Sequence, residues 1–161
     1  MLPAYTTAIG TQSSAATIPV TTQCTKNNGV SDGMAEFVCP LCATIHLSGS
    51  TITLTSCAMA VMVMMNQSIG FGKMFPFILM LGVTMVAAPG VPGGAVMAAL
   101  GILQSMLGFD ETMCGLMIAL YIAQDSFGTA CNVTGDGALT LMLTGYAKKH
   151  NIQEVQSGEI L

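Results

Sequence analysis

Apolar and polar positions fall in long blocks along this chain rather than in short periods. No Asp, Glu, Lys or Arg occurs between Glu36 and Lys73, nor between Lys73 and Asp110. A membrane span needs about 20 mostly apolar residues, so the pattern predicts an all-α, multi-pass membrane protein. Residues 33–66 form an apolar stretch of 34 residues. As one straight helix it would be about 51 Å long, against a hydrocarbon core of about 30 Å. The polar interruption "TIHLSGST" predicts one tilted span, broken and locally unwound near its middle.

Residues 74–109 run for 36 residues without an acid or base around the breaker-rich centre "AAPGVPGG". Two full spans would need about 40 residues plus a turn, and one helix would be about 54 Å long. Two half-depth helices meeting at a Gly/Pro tip fit the length, so a re-entrant helical hairpin is predicted. "QSIGFGKMF" before it and "TKNNGVSDG" further upstream read as loops. Residues 111–147 form a long final helix ending at "KKHN", with 148–161 as a tail. Residues 11–25, "TQSSAATIPVTTQCT", mix Ser and Thr with small apolar residues. Non-helical backbone at membrane depth is tolerated only where protein buries it or it lines a cavity. Such discontinuities point to a transporter's binding site.

Composition sharpens this picture. Charged residues make up 7% of the 161, against roughly 25% in soluble domains, and mean hydropathy is +0.69. There is no Trp, and all four bases are lysines, so there is no Arg. A net charge of -4 spread this thinly implies no nucleic-acid partner. "MLPAYTTAIG" lacks the basic start and long apolar core of a secretory signal. With a single crossing by 33–66 and a return by the last helix, Lys26, Lys148 and Lys149 share one side and Lys73 lies opposite. Three lysines against one make that side, and the C-terminus, cytoplasmic. The six cysteines sit mostly in apolar runs, where Cys packs as a small hydrophobe. "CPLC" has redox spacing but no βαβ setting.

The chemistry concentrates on the last helix. At about 100° per residue, with Asp125 at zero, Thr129 falls near 40°, Asn132 near -20°, Asp136 near 20° and Gly128 near -60°. Asp125, Thr129, Asn132 and Asp136 therefore form one polar stripe three turns long. Ionisable residues inside a span face the bundle interior or a wet cavity. The aligned oxygens suit an ammonium group and a hard cation such as Na+, although Asp136 as a protonated packing group is the structural alternative. About 16 Å of helix separates Asp125 from Asp136. That is too far for a shared acid/base centre, so the chain is not read as an enzyme. "NVT" (132–134) and "NQS" (66–68) match the glycosylation sequon but sit in or at the edge of spans. "GVPGG" lacks the Lys-Ser/Thr of a phosphate loop.

At these residues the chain resembles the glutamate-transporter family, the dicarboxylate/amino acid:cation symporters. "TQSSAATIPV" is similar to the serine-rich tip of that family's first re-entrant hairpin. "PLCATIHLSGST" is similar to its unwound seventh span, usually written PLGATINMDGT. "AAPGVPGG" resembles the second hairpin tip, and "DSFGTACNVTGD" the eighth span, usually D-x-x-R-T-x-x-N-V-x-G-D. The resemblance runs from about residue 3 to 150. It implies the C-terminal half of a moving transport domain: hairpin 1 tip and second arm (3–25), broken span (33–66), hairpin 2 (74–109), last span (111–147) and cytoplasmic tail (148–161). It further implies six upstream spans, a homotrimer, a lipid bilayer, Na+ as coupling ion and elevator-type alternating access in the cell membrane. Carried over, Asp125 binds the substrate ammonium. Asn132 and the backbone at Ser14 and Val91 hold its α-carboxylate, with Thr129 nearby, and Ser13, Gly90 and Gly128 belong to the same substrate site. Asp136 and Asn132, with the carbonyls of Cys42 and His46, hold one cation. Thr44, the Leu47 carbonyl and the second tip hold another. Closing the second hairpin over the site couples the two ligands.

Departures from the family pattern redirect the substrate. Gly128 stands where acidic-substrate members carry Arg, and Gln12 where some carry Arg in the first tip. Without Arg there is no bidentate clamp for a second carboxylate, and leaving that charge unpaired would cost several kcal/mol in order of magnitude. A neutral amino acid is therefore the expected substrate, with Gly128 leaving room for its side chain. A base from outside this chain would restore the alternative, a dicarboxylate or acidic amino acid. A non-transporting membrane fragment or assembly partner is the reading of another class. "HLSGS" replaces "NMDGT": Ser48 stands where a buried Asp would be, and His46 replaces Asn. Imidazoles titrate in the physiological range, which makes H+ the alternative coupling ion through His46.

Overall fold

The computed structural model describes residues 1–152. Among the described residues there are seven α-helices and no strand. Residues 153–161 of the expected tail lie outside the described residues.

The first two helices, α1 (Leu2–Thr11) and α2 (Ser14–Asn27), form a hairpin that turns at Gln12 and Ser13. Gln12 adopts the left-handed conformation. Ser13 is extended, and its Oγ accepts from the Ala16 N–H at 3.1 Å, which satisfies one of the helix's orphan donors. Then come α3 (Asp32–Ile45) and α4 (Ser48–Met64), interrupted by His46 and Leu47. His46 is extended (φ -109, ψ 91), so the break lies within the polar interruption that predicts it. Taken through this break, Asp32–Met64 is long and apolar enough to cross a membrane.

A second hairpin consists of α5 (Phe71–Met85) and α6 (Gly94–Leu107), joined by residues 86–93. Each arm is about 22 Å long, short of a full crossing. The helix begins at Phe71, so "FGK", expected in a loop, forms its first turn. Lys73 accounts for this early start: its Nζ donates to the Leu107 carbonyl at 2.8 Å. The base thus satisfies a terminal carbonyl of α6 and ties the feet of the two arms together. Finally, α7 (Glu111–Lys149) is one uninterrupted helix of 39 residues. The Asp110 side chain caps it, accepting from the Met113 N–H at 2.8 Å.

Two cores divide α7 between them. Its first half, with Met113, Met117 and Tyr121, packs with Leu54, Phe77, Leu81, Leu103 and other large side chains of α4, α5 and α6. Its second half meets α1 and α2 through small residues, with Ala4, Ala8, Cys24, Ala130 and Val133 forming a separate cluster. Of the cysteines, five are buried and Cys131 is exposed. The Cys39 thiol lies 3.5 Å from Thr25 Oγ1 and 3.8 Å from Thr140 Oγ1, which brings the end of α2, the start of α3 and the end of α7 together. Lys26 therefore lies at the same end as the α7 C-terminus, where it pairs with Glu36 (2.6 Å) and Asp32 (3.2 Å). Lys73 lies at the opposite end.

Candidate binding site at the broken helix

The polar stripe of α7 faces inward. Asp125 and Thr129 are each 3% exposed, and Asn132 and Asp136 each 1%. The stripe lies against three discontinuities: the tips of both hairpins and the break between α3 and α4. All three interrupt helices, and the stripe's side chains pair several of the groups there.

The hairpin tips meet at Gly90. Its carbonyl accepts from Ser13 Oγ at 2.8 Å and from the Ala15 N–H at 3.1 Å. A Cβ on Gly90 would lie 2.6 Å from the Ala43 carbonyl, so a side chain would force the second tip away from α3. Asp125 engages the far side of the second tip, its Oδ2 accepting from the Gly93 N–H at 2.8 Å. Its Oδ1 accepts from Thr129 Oγ1 at 3.4 Å. Asn132 reaches the broken helix instead. Its Oδ1 accepts from the Gly49 N–H (2.8 Å) and the Ser50 N–H (3.4 Å), and its Nδ2 donates to Ser50 Oγ at 2.9 Å. Asn132 thus caps α4 from another helix, filling the role a local N-cap side chain would take.

Between these groups lies a cavity of about 10 Å³, room for one water. Its lining includes Gln12, Ser14, Leu47, Gly90, Val91, Asp125, Thr129 and Asn132. Sequence reasoning missed two more polar lining residues, Ser50 and Tyr121. Tyr121 lies beside Ser50 and Asp125. It is four residues before Asp125 and so extends the same stripe by one turn, a periodicity that could have found it. Ser50 has no such signal. On its outer side the second tip borders an apolar cavity of about 470 Å³, lined by Pro92, Met97, Ile118 and Ile122 among others.

Gly128 does not line the polar cavity. A Cβ there would lie 3.1 Å from Thr53 Oγ1 and 3.5 Å from Gly49 C and Ser50 N. A Cβ on Gly49 would in turn collide with the Gly128 carbonyl. The two glycines let α4 and α7 approach at backbone distance, as small residues do between membrane helices.

The expected cation ligands separate. Asp136 Oδ1 is 2.8 Å from His46 Nδ1, a hydrogen-bonding partner at the helix break. The Cys42 carbonyl accepts the His46 N–H at 2.8 Å. The Leu47 carbonyl accepts both the N–H and the Oγ1 hydroxyl of Thr51, each at 2.9 Å. Thr44 is exposed, and its hydroxyl donates to the Leu41 carbonyl at 2.8 Å. It does not join the others, because its position on α3 points away from α7. Ser48 is likewise exposed.

Comparison with known proteins supplies the frame for this geometry. Neutral amino acid transporter B(0) of Macaca fascicularis is 28% identical over 151 residues, covering 93% of this chain and 28% of the relative. Excitatory amino acid transporter 1 of Homo sapiens is 29% identical over 154 residues, covering 95% and 28%. The Ambystoma tigrinum protein of that name is 30% identical over 160 residues, covering 99% and 28%. The chain thus spans under a third of the length of these relatives. The profile described as the sodium:dicarboxylate symporter family matches residues 1–146, and the chain belongs to that family.

Proposed function

We propose that this chain forms the substrate- and cation-handling part of a Na+-coupled amino acid symporter, with a neutral amino acid as the favoured substrate. One observation carries the reading: the buried Asp125 carboxylate sits at the junction of both hairpin tips, held by a single backbone N–H and a Thr hydroxyl. An ammonium group would replace the Gly93 N–H on Asp125. Charge-assisted hydrogen bonds are roughly twice as strong as neutral ones, so substrate can displace the tip from that oxygen. The lack of Arg leaves a second substrate carboxylate unmatched, which supports a neutral side chain.

The cavity of about 10 Å³ is too small for any amino acid. Binding therefore requires the second tip to lift, and the outer apolar cavity gives it space to move. In this reading α1–α2 and α5–α6 are re-entrant hairpins and Asp32–Met64 and α7 cross the bilayer, with the C-terminus cytoplasmic. The whole belongs to a transport domain moving in elevator fashion within a homotrimer. Asp125, Thr129 and the tips at Ser13, Ser14, Gly90 and Val91 contact the substrate, with Asn132 beside them. Na+ enters as co-substrate.

Counterflow uptake of labelled alanine, serine, aspartate and succinate tests this, using the membrane protein that carries this chain in proteoliposomes with and without Na+. Na+-dependent uptake of the neutral substrates is expected. Uptake of aspartate or succinate alone would overturn the substrate assignment.

A further inference from the structure

We propose that His46 occupies the place of a coupling cation at Asp136, so that this chain takes up one cation fewer than its resemblance implies. The inference rests on the symport reading, since a coupling ion is what the imidazole replaces. The expected site comprised the Asp136 carboxylate, the Asn132 amide oxygen and the carbonyls of Cys42 and His46.

Each of the first three is engaged within the protein. His46 Nδ1 lies 2.8 Å from Asp136 Oδ1. Asn132 Oδ1 accepts from two backbone N–H groups of α4, which uses both of its lone pairs. The Cys42 carbonyl accepts the helical N–H of His46. One buried oxygen, Asp136 Oδ2, has no partner. Of the three side-chain oxygens in the expected site it is the only one left without a partner, fewer than a hard cation would draw from that set. The ring is also closely seated: a Cβ on Gly135 would collide with His46 Cε1, so the glycine before Asp136 makes the cradle for the imidazole. Among the described residues His46 is the only basic side chain within 4 Å of the Asp136 carboxyl.

A partner built into the chain differs from a bound ion in one respect. It travels with the carboxylate through every state and is never exchanged between the two sides of the membrane. The Asp136 carboxyl then keeps a hydrogen-bonding partner without drawing on an ion gradient, and His46 sets the ion count of the cycle.

The test is thermal unfolding of the purified, membrane-reconstituted protein titrated with NaCl, choline chloride holding ionic strength constant. Wild type, His46→Asn, His46→Gln, Asp136→Asn and the double variant His46→Asn/Asp136→Asn are compared. His46→Asn is expected to gain a saturable, Na+-specific rise in Tm that the double variant lacks, with an apparent Na+ affinity at Asp136 at least tenfold above wild type. The Na+ response of wild type should survive Asp136→Asn. In proteoliposomes, 22Na+ uptake per substrate should rise by one in His46→Asn. His46→Gln keeps the test valid if Asn at 46 does not fold. Loss of the wild-type Na+ response in Asp136→Asn would overturn the proposal, as would His46 variants that respond to Na+ like wild type. Absence of amino acid uptake with this Tm pattern intact would overturn the symport reading and leave the His46 assignment standing.

Discussion

The hairpin α1–α2 turns over in two residues, Gln12 and Ser13, whereas α5–α6 uses eight, 86–93. The first tip is knitted by its own side chains. Ser13 caps α2, and Thr17 Oγ1 donates to the Ser13 carbonyl at 2.7 Å and lies 3.1 Å from Thr11 Oγ1. Thr21 and Thr25 then bond back to the carbonyls four residues earlier. This back-bonding satisfies each buried hydroxyl and leaves its methyl group to pack. The second tip, "VAAPGVPG" (86–93), carries no hydroxyl or charged side chain. Beyond its own backbone turns it is held by Ser13, by Ala15 and by Asp125. At roughly 1 kcal/mol net per hydrogen bond, those three contacts amount to a few kcal/mol, a range that ligand binding can overcome. Under the proposed function the first tip, knitted by its own side chains, would be the fixed wall, and the second, whose side chains supply no hydrogen bonds, would be the lid.

The comparison breaks most sharply at Asp125. Asp125→Ala is expected to lower amino acid uptake at least 100-fold, equivalent to about 2.7 kcal/mol. It should also raise thiol labelling of a cysteine placed at Val91 on the second tip, while a cysteine at Gln12 on the first tip keeps its labelling rate. Equal acceleration at both tips would mean the hairpins share one support.

Gly90→Val should come next. Its Cβ would press on the Ala43 carbonyl, and overpacking of this kind costs about 1–3 kcal/mol. Uptake is expected to fall roughly 10- to 100-fold through failure to close, read as a loss of substrate-dependent protection at the Val91 cysteine.

Thr17→Val sharpens the contrast from the other side. It removes buried hydrogen bonds of the first tip at about 1 kcal/mol, so Tm should drop by a few degrees while the KM for uptake changes less than twofold. The smallest effect is expected at Gly128→Ala, where only the Thr53 hydroxyl has to give way. A loss below about 1 kcal/mol in thermal unfolding, with an unchanged ranking of substrates, would confirm that Gly128 serves the α4–α7 contact.

Sequence by itself determined the elements, because their causes are local. Length against bilayer thickness separated a broken span from a hairpin, and Gly and Pro placed the second tip. The 3.6-residue period put Asp125, Thr129, Asn132 and Asp136 on one face, which the structure buries. The start of α5 at Phe71 is the exception, since Lys73 read as loop until Leu107, 34 residues on, was seen to receive it.

What each stripe residue touches was decided only by the tertiary structure. Helix phase names a face, but not the group opposite it. Asp136 meets His46 across 90 residues, and Asn132 caps a helix 82 residues away. The bare Cα of Gly128 lies against the backbone of Gly49 and Ser50. These partners are fixed by how closely α4 can approach α7, and that distance is a property of packing that no single stretch of the chain encodes.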